Sequence, residues 1–189
     1  MRFLNCSSMN VPSRDEASDA PKSARSGKKS KLRYRLNVAA ILQNREGRIL
    51  VCERVNTAGA WQFPQGGVKK NETLEAALTR ELREEISLDP SHYRVLTRKG
   101  PYHYLFRDEA TRRKKRADGQ EQHYFLAELI APESERAINV RTAKPEFRAV
   151  KWIAPREFDL RWLPKMKREV YRAVLRDFFS VDCAENSSV

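Results

Sequence analysis

Across residues 34–179 the apolar positions recur in two rhythms, one suited to strands and the other to helices. Residues 36–42 (LNVAAIL) are almost continuously apolar, which predicts a strand buried on both faces. Residues 44–47 (NREG) read as a turn and residues 48–52 (RILVC) as a second strand. Asn71 is placed as the N-cap of a helix over 72–86, with Leu74, Ala77, Leu78 and Leu82 in one apolar stripe. Residues 93–97, 123–129 and 149–153 read as further strands. Residues 165–179 predict a closing amphipathic helix with Val170, Tyr171, Val174 and Phe178 turned inward. Strands interleaved with two or three helices predict an α/β or α+β layered domain.

The polar face of the helix over 72–86 carries a second pattern. Arg80-Glu81-Leu82-Arg83-Glu84-Glu85 places Glu84 and Glu85 about 60° and 40° either side of Glu81, so three carboxylates share one face. Their mutual repulsion gains the helix nothing. A hard cation such as Mg²⁺ or Mn²⁺ would relieve it, because both prefer oxygen ligands. Taken alone, the same three acids read equally well as a solvated acidic face. Gly66-Gly67, just upstream, either lets the backbone approach a ligand or forms a tight turn.

The spacing around these residues is Gly66, five residues, Glu72, seven residues, then Arg80-Glu81-Leu82-x-Glu84-Glu85-x-Ser87-Leu88. It resembles the Nudix box, G-x5-E-x7-R-E-U-x-E-E-x-G-U with U aliphatic, at every fixed position but one. Ser87 stands where that family has glycine. In a left-handed helix cap serine costs on the order of 1 kcal/mol, which leaves the local turn open and the carboxylates untouched. Outside the box, WQFPQGG (61–67), Tyr34-Arg35-x-Asn37-Val38, Gly119-Gln120-x-Gln122-x-x-Phe125-Leu126, Pro145-Glu146-Phe147 and MKREVY (166–171) are similar to segments of bacterial RNA pyrophosphohydrolases and plant-type dinucleoside polyphosphate hydrolases. Together they cover residues 34–181.

The resemblance implies the Nudix fold, a mixed β-sheet sandwiched between helices, and a metal-dependent cleavage of phosphoanhydrides. The implied substrates are 5′-triphosphorylated RNA ends, left as 5′-monophosphates, and dinucleoside polyphosphates such as diadenosine tetraphosphate. Carried over position by position, Glu81, Glu84, Glu85, Glu146 and the Gly66 carbonyl would hold Mg²⁺ or Mn²⁺, with Glu81, Glu85 and Glu146 as candidate bases. Glu72 and Arg80 would orient that set. Arg35, Gln120 and Lys167 would contact phosphates or the first nucleotide. Taken singly, those three read as an edge-strand charge, a loop polar group and an exposed helix lysine. Val55 falls where the bacterial enzymes have a base-stacking arginine, so either the neighbouring Arg54 substitutes or base recognition differs. The competing reading is a non-catalytic Nudix-fold module that binds RNA or nucleotide. The intact acid set counts against it.

Charge narrows the partners. The 189 residues carry a formal net charge of +12, which favours polyanions such as nucleotides and RNA. Residues 1–33 hold eight Lys/Arg against three Asp/Glu and read as a disordered basic extension, with 182–189 as a disordered tail. The expected domain is 34–181. Met1-Arg2-Phe3-Leu4 followed by Ser and Arg leaves organellar targeting open, although Asp15, Glu16 and Asp19 argue against a transit peptide, and no apolar signal core or membrane-length run is present. Cys6, Cys52 and Cys183 form neither a disulfide framework nor a zinc pattern, which fits a reducing, cytoplasmic setting. His92, His103 and His123 have no metal-ligand spacing. The expected partners are a nucleotide or RNA 5′ end, without DNA or membrane, for a monomeric chain. Residues 107–116 (RDEATRRKKR), with six basic and two acidic residues, read as an exposed loop beside Tyr102 and Tyr104. That loop is either a guide for RNA or merely solvated.

Overall fold

The apolar run becomes β1 (Tyr34–Gln43), the centre of a seven-stranded mixed sheet. The structure is a computed structural model that describes residues 31–182. The expectations for the basic extension and the tail, with Cys6 and Cys183, fall outside the described residues apart from 31–33 and 182. Among the described residues no helix is long and apolar enough to cross a membrane.

The strands that follow are β2 (Ile49–Arg54), β3 (Trp61–Gln62) and β4 (Gln65–Gly67). After helix α1 (Leu74–Ile86) come β5 (Tyr93–Leu105), α2 (Glu109–Lys115) and β6 (Gly119–Leu129). A short α3 (Glu133–Arg136), β7 (Phe147–Ile153) and α4 (Lys165–Phe179) complete the chain. β1 pairs with β6 in parallel along its whole length, and the other pairings are antiparallel. β1 meets β2 only at its end, Gln43 opposite Ile49. Its first half pairs instead with β4, Asn37 opposite Gly67 and Val38 opposite Gly66. That split brings the glycine pair onto the central strand.

Alternation along β1 divides the core in two. Val38, Ala40 and Leu42 pack with Ala77, Leu78, Leu82 and Ile86 of α1. Ala39 and Ile41 lie on the opposite face with Val170, Tyr171, Val174 and Leu175 of α4. The sheet is therefore sandwiched between helices. Each of Leu78, Leu82 and Ile86, at most 2% exposed, contributes about 1.5–3 kcal/mol by burial. On the α4 side Phe63 stacks on Tyr171, ring centroids 5.2 Å apart.

Four expectations are corrected. The α1 N-cap is Thr73, whose Oγ1 accepts from Ala76 N at 3.1 Å; Asn71 lies upstream with φ 64°. The strand expected at 93–97 continues to Leu105, because register shifts absorb Gly100 and Pro101. Residues 109–115 are helical, capped by Asp108 Oδ1 on Thr111 N at 2.7 Å. In α4, Leu175 is buried and Phe178 only partly so.

Ser87 retains the turn that glycine makes elsewhere. It adopts φ 58°, and its N–H donates to Arg83 O at 3.1 Å while Leu88 N donates to Leu82 O at 3.1 Å. Leu88, fully buried, supplies the hydrophobic contact that closes such a cap.

Candidate active site

The site begins with the way α1 presents its polar face. The buried stripe fixes the helix against the sheet, and β4 runs beside it through pairing with β1. Gly66 is there because Glu81 needs the space. A Cβ on Gly66 would stand 1.8 Å from Glu81 Cδ. Gly67 likewise leaves room for Arg35, whose Nη2 would lie 2.0 Å from an added Cβ.

Arg80 spans the acids. Its Nε and Nη2 donate to Glu72 at 2.7 and 2.9 Å, a bidentate pair. Nη1 donates to Glu81 Oε1 at 2.6 Å and to Glu84 Oε2 at 3.2 Å, and Nη2 also reaches Gly67 O at 2.9 Å. One guanidinium thus ties the first residues before α1, the β4 backbone and two of its acids. Glu72 also accepts from Lys69 N at 2.8 Å. The Arg80 hydrogen bonds, followed by this one, bring its pKa down to about 2.

Glu81 and Glu85 are pushed the other way. Burial raises Glu81, with Arg80 opposing and Glu84 and Glu146 adding to the rise. Glu85 is 3% exposed, and burial, then Glu146 and Glu81, lift its carboxyl to about 9. Its Oε2 accepts from Gln65 N at 2.9 Å; its Oε1 is buried and has no hydrogen-bond partner among the described residues. A buried acceptor left unpaired is costly, and a proton or a cation would satisfy it. Glu146 reaches this group from just before β7, where its carbonyl accepts from Val55 N at 2.9 Å. Glu84 remains exposed, with Lys69 Nζ 3.7 Å from Oε1. Among the described residues no three acids or imidazoles stand in a ready-made metal cage. Arg80 occupies oxygens of Glu81 and Glu84, while the Glu85 and Glu146 carboxyls lie close together, which adds to the rise of Glu85.

Glu81, Glu84 and Glu146 line one cleft of about 340 Å³ together with Arg35, Gln120 and Lys167. Opposite charges share the space: Glu81, Glu84 and Glu146 line it together with Arg35, Arg54, Lys115 and Lys167. Arg35 is half-buried over Gly67 rather than an edge-strand surface charge. Gln120 is a buried residue of β6, where its Oε1 accepts from Tyr104 OH, and not a loop polar group. Lys167, in the first turn of α4, places Nζ 3.4 Å from Gln62 Oε1 and 5.9 Å from the Tyr104 ring centroid. Burial, then Arg54, lower its pKa to about 8.

The comparisons with known proteins bear on this geometry. The family model described as NUDIX domain matches residues 33–178. The chain belongs to the Nudix family of hydrolases. It is 37% identical to the RNA pyrophosphohydrolase of Haemophilus influenzae over 163 residues, covering 82% of this chain and 80% of that one. It is 41% identical to the RNA pyrophosphohydrolase of Halorhodospira halophila over 151 residues, covering 76% and 79%. The solved Ap4A hydrolase of C. elegans superimposes with a TM-score of 0.53 at 18% identity, over 77% of this chain and 96% of that one, and shares the fold.

As a Nudix pyrophosphohydrolase the chain has cleft residues outside the metal, orienting and substrate-binding set expected from the sequence. Arg54, Tyr104 and Lys115 come from three separate segments, and only the folded sheet brings them together. Beneath the cleft, Gln122 Nε2 donates to Asn37 Oδ1 at 3.0 Å and to Gln65 Oε1 at 2.8 Å, and Tyr124 OH donates to Gln122 Oε1 at 2.9 Å. One signal for this network was available. Asn37 interrupts an apolar run, and a polar residue inside such a run must find a buried partner. Val55 is exposed at the surface, whereas its neighbour Arg54 lines the cleft.

Proposed function

We propose that this Nudix hydrolase is a metal-dependent pyrophosphohydrolase of 5′-triphosphorylated RNA ends, leaving a 5′-monophosphate, with dinucleoside polyphosphates as a second substrate class. One observation carries the reading: Glu81 and Glu84 of α1, with Glu146, share a cleft with four cationic side chains, and the buried Glu85 holds Gln65 of the same cleft. A polyphosphate bridged to divalent cations has this alternation of charge.

The donor set fits Mg²⁺ or Mn²⁺. It is all oxygen, it includes the buried, unpaired Oε1 of Glu85, and it sits where Gly66 gives way to Glu81. Glu81, Glu84, Glu85, Glu146 and the Gly66 carbonyl would hold the ion, which when bound would neutralise phosphate charge and acidify the attacking water. Arg80 and Glu72 keep the Glu81 carboxylate in place while substrate enters. Arg35, Lys167, Arg54 and Lys115 attract and align the phosphates. Gln120, with Tyr104, contacts the first nucleotide or its phosphates. Water attacks phosphorus, its proton passes to one of Glu81, Glu85 or Glu146, and the phosphoanhydride oxygen departs on the leaving phosphate. The 37% and 41% relatives named RNA pyrophosphohydrolase favour RNA as the first substrate. The intact acids count against a module that binds without turnover.

The test compares kcat/KM for a 5′-triphosphorylated oligoribonucleotide and for diadenosine tetraphosphate in Mg²⁺. A higher value for the RNA supports the assignment. A large preference for the dinucleotide reverses the order of substrates, and no turnover of either overturns the reading.

A further inference from the structure

The segment 107–116 is one basic element with two destinations. Lys115, the last residue of α2, lines the acid-bearing cleft beside Arg35. Arg112, Arg113 and Arg116 of the same segment line a separate surface depression of about 680 Å³. Arg33 lines it as well, two residues before the Arg35 that lines the cleft. Two connections therefore join the depression to the cleft, one through 115–116 and one through 33–35.

The segment is built to hold that shape. Asp118 N donates to Arg33 O at 2.7 Å, and Arg33 N donates to Asp118 Oδ2 at 2.9 Å. Phe106 N donates to Asp118 O at 2.9 Å. Arg112 spends its Nε and Nη2 on Phe106 O, at 3.0 and 2.8 Å, which pins α2 to the end of β5. Arg116, left-handed at φ 53°, turns the chain back into β6. Arg113 and Arg116 are exposed, and so is Arg33, with guanidinium donors beyond the contacts to Glu109 and Asp118. A helix with no buried residue is not explained by core packing. Of the acids of the depression, Glu109 pairs with Arg113 and Asp118 ties Arg33, and the two do not cancel four arginines.

Resting on the proposed function, we propose that the surface formed by Arg33, Arg113 and Arg116 receives the phosphodiester backbone of an RNA chain beyond its first nucleotides, and that Lys115 hands that chain into the cleft. Guanidinium groups bind phosphate bidentately without reading sequence. The surface thus selects long RNA over dinucleoside polyphosphates, whose phosphates end inside the cleft.

The test uses the full chain and a triple variant, Arg33→Gln/Arg113→Gln/Arg116→Asn. Asparagine tolerates the left-handed position, and Arg112 is left alone because it anchors α2. KM is measured for a 5′-triphosphorylated RNA of about 20 nucleotides, for a triphosphorylated dinucleotide and for diadenosine tetraphosphate, over a range of salt. The variant is expected to raise KM for the long RNA at least about tenfold with kcat unchanged, and to reduce the slope of log KM against log salt by about two. The two short substrates are expected to keep their KM. An unchanged ratio of long to short KM in an enzyme that turns over both overturns the inference and leaves the proposed function standing. Binding of the same RNA without its triphosphate, read by fluorescence anisotropy, tests the surface independently of catalysis. Weaker binding by the variant supports it and equal binding overturns it, even if the wild type hydrolyses nothing.

Discussion

The Cα of Gly66 backs directly onto the carboxylate of Glu81, so that a Cβ there would stand 1.9 and 2.1 Å from its two oxygens. Gly66 does not occupy the left-handed region, so alanine adds no backbone strain and acts only by displacing that carboxylate. Gly66→Ala is expected to lower kcat about 100-fold or more, since ångström-scale misplacement of a reacting group costs that much. The fold should persist, as judged by circular dichroism. Gly59→Ala is the matched control: φ is +75° and nothing lies within 4 Å of an added Cβ. It should cost about 1 kcal/mol of stability and leave kcat intact. Full activity in Gly66→Ala would remove Glu81 placement from the mechanism.

Arg80 and Glu72 act as one device, since two of the Arg80 nitrogens are spent on Glu72 and a third on Glu81 and Glu84. Arg80→Lys keeps the charge but loses the fork. Both Arg80→Lys and Glu72→Gln are expected to lower kcat roughly tenfold or more, through the freed Glu81 carboxylate. The double variant should be no worse than the worse single one. Purely additive losses in the four kcat values would separate the two residues.

Much of this arrangement is legible in the chain because it is local. Glu81, Glu84, Glu85 and Arg80 lie within six residues of one helix, so helical period alone brings them together. The two-sided burial of β1 and the stripe of α1 follow from the apolar pattern in the same way. The rest depended on tertiary contacts. Nothing in residues 107–116 has an apolar stripe, and α2 forms through the Asp108 cap and the grip of Arg112 on Phe106 O. Thr73 competes with Asn71 for the cap, and two capping residues only two positions apart defeat a spacing argument. Arg54, Tyr104 and Lys115 reach the cleft from segments whose pairing the periodicity does not state.

Lys167 is a cation whose placement costs stability. Its pKa falls from an ordinary 10.5 to about 8, so below pH 8 both states are charged and the folded chain bears the burial cost in full. Between pH 8 and 10.5 the folded chain loses its proton first, the unfolded chain binds more protons, and stability rises. Lys167→Met should therefore stabilise the protein at pH 7 by on the order of 2 kcal/mol, an advantage that fades through that window. It should also raise KM for triphosphorylated RNA. A melting temperature unchanged or lowered at pH 7 would contradict this.

Glu85 follows the opposite sign, and a divalent ion enters its balance. Unfolded, its carboxyl titrates near an ordinary 4.5; folded, burial and Glu146 hold the proton to about pH 9. Between those values the folded chain binds more protons, so without added metal this group makes stability fall as pH rises. Glu85→Gln replaces the protonated acid by a neutral amide of the same shape. In EDTA it is expected to melt several degrees above the wild type at pH 8, with a smaller gain at pH 5. In Mg²⁺ the order should narrow or reverse, because ligand binding to the folded state stabilises only the chain that keeps the carboxylate. Hydrolysis by Glu85→Gln should be lost at every Mg²⁺ concentration. Thermal melts of both proteins across pH 5–8, with EDTA and with Mg²⁺, check all three statements. A wild type whose melting temperature ignores Mg²⁺ throughout would detach the buried acid from any metal.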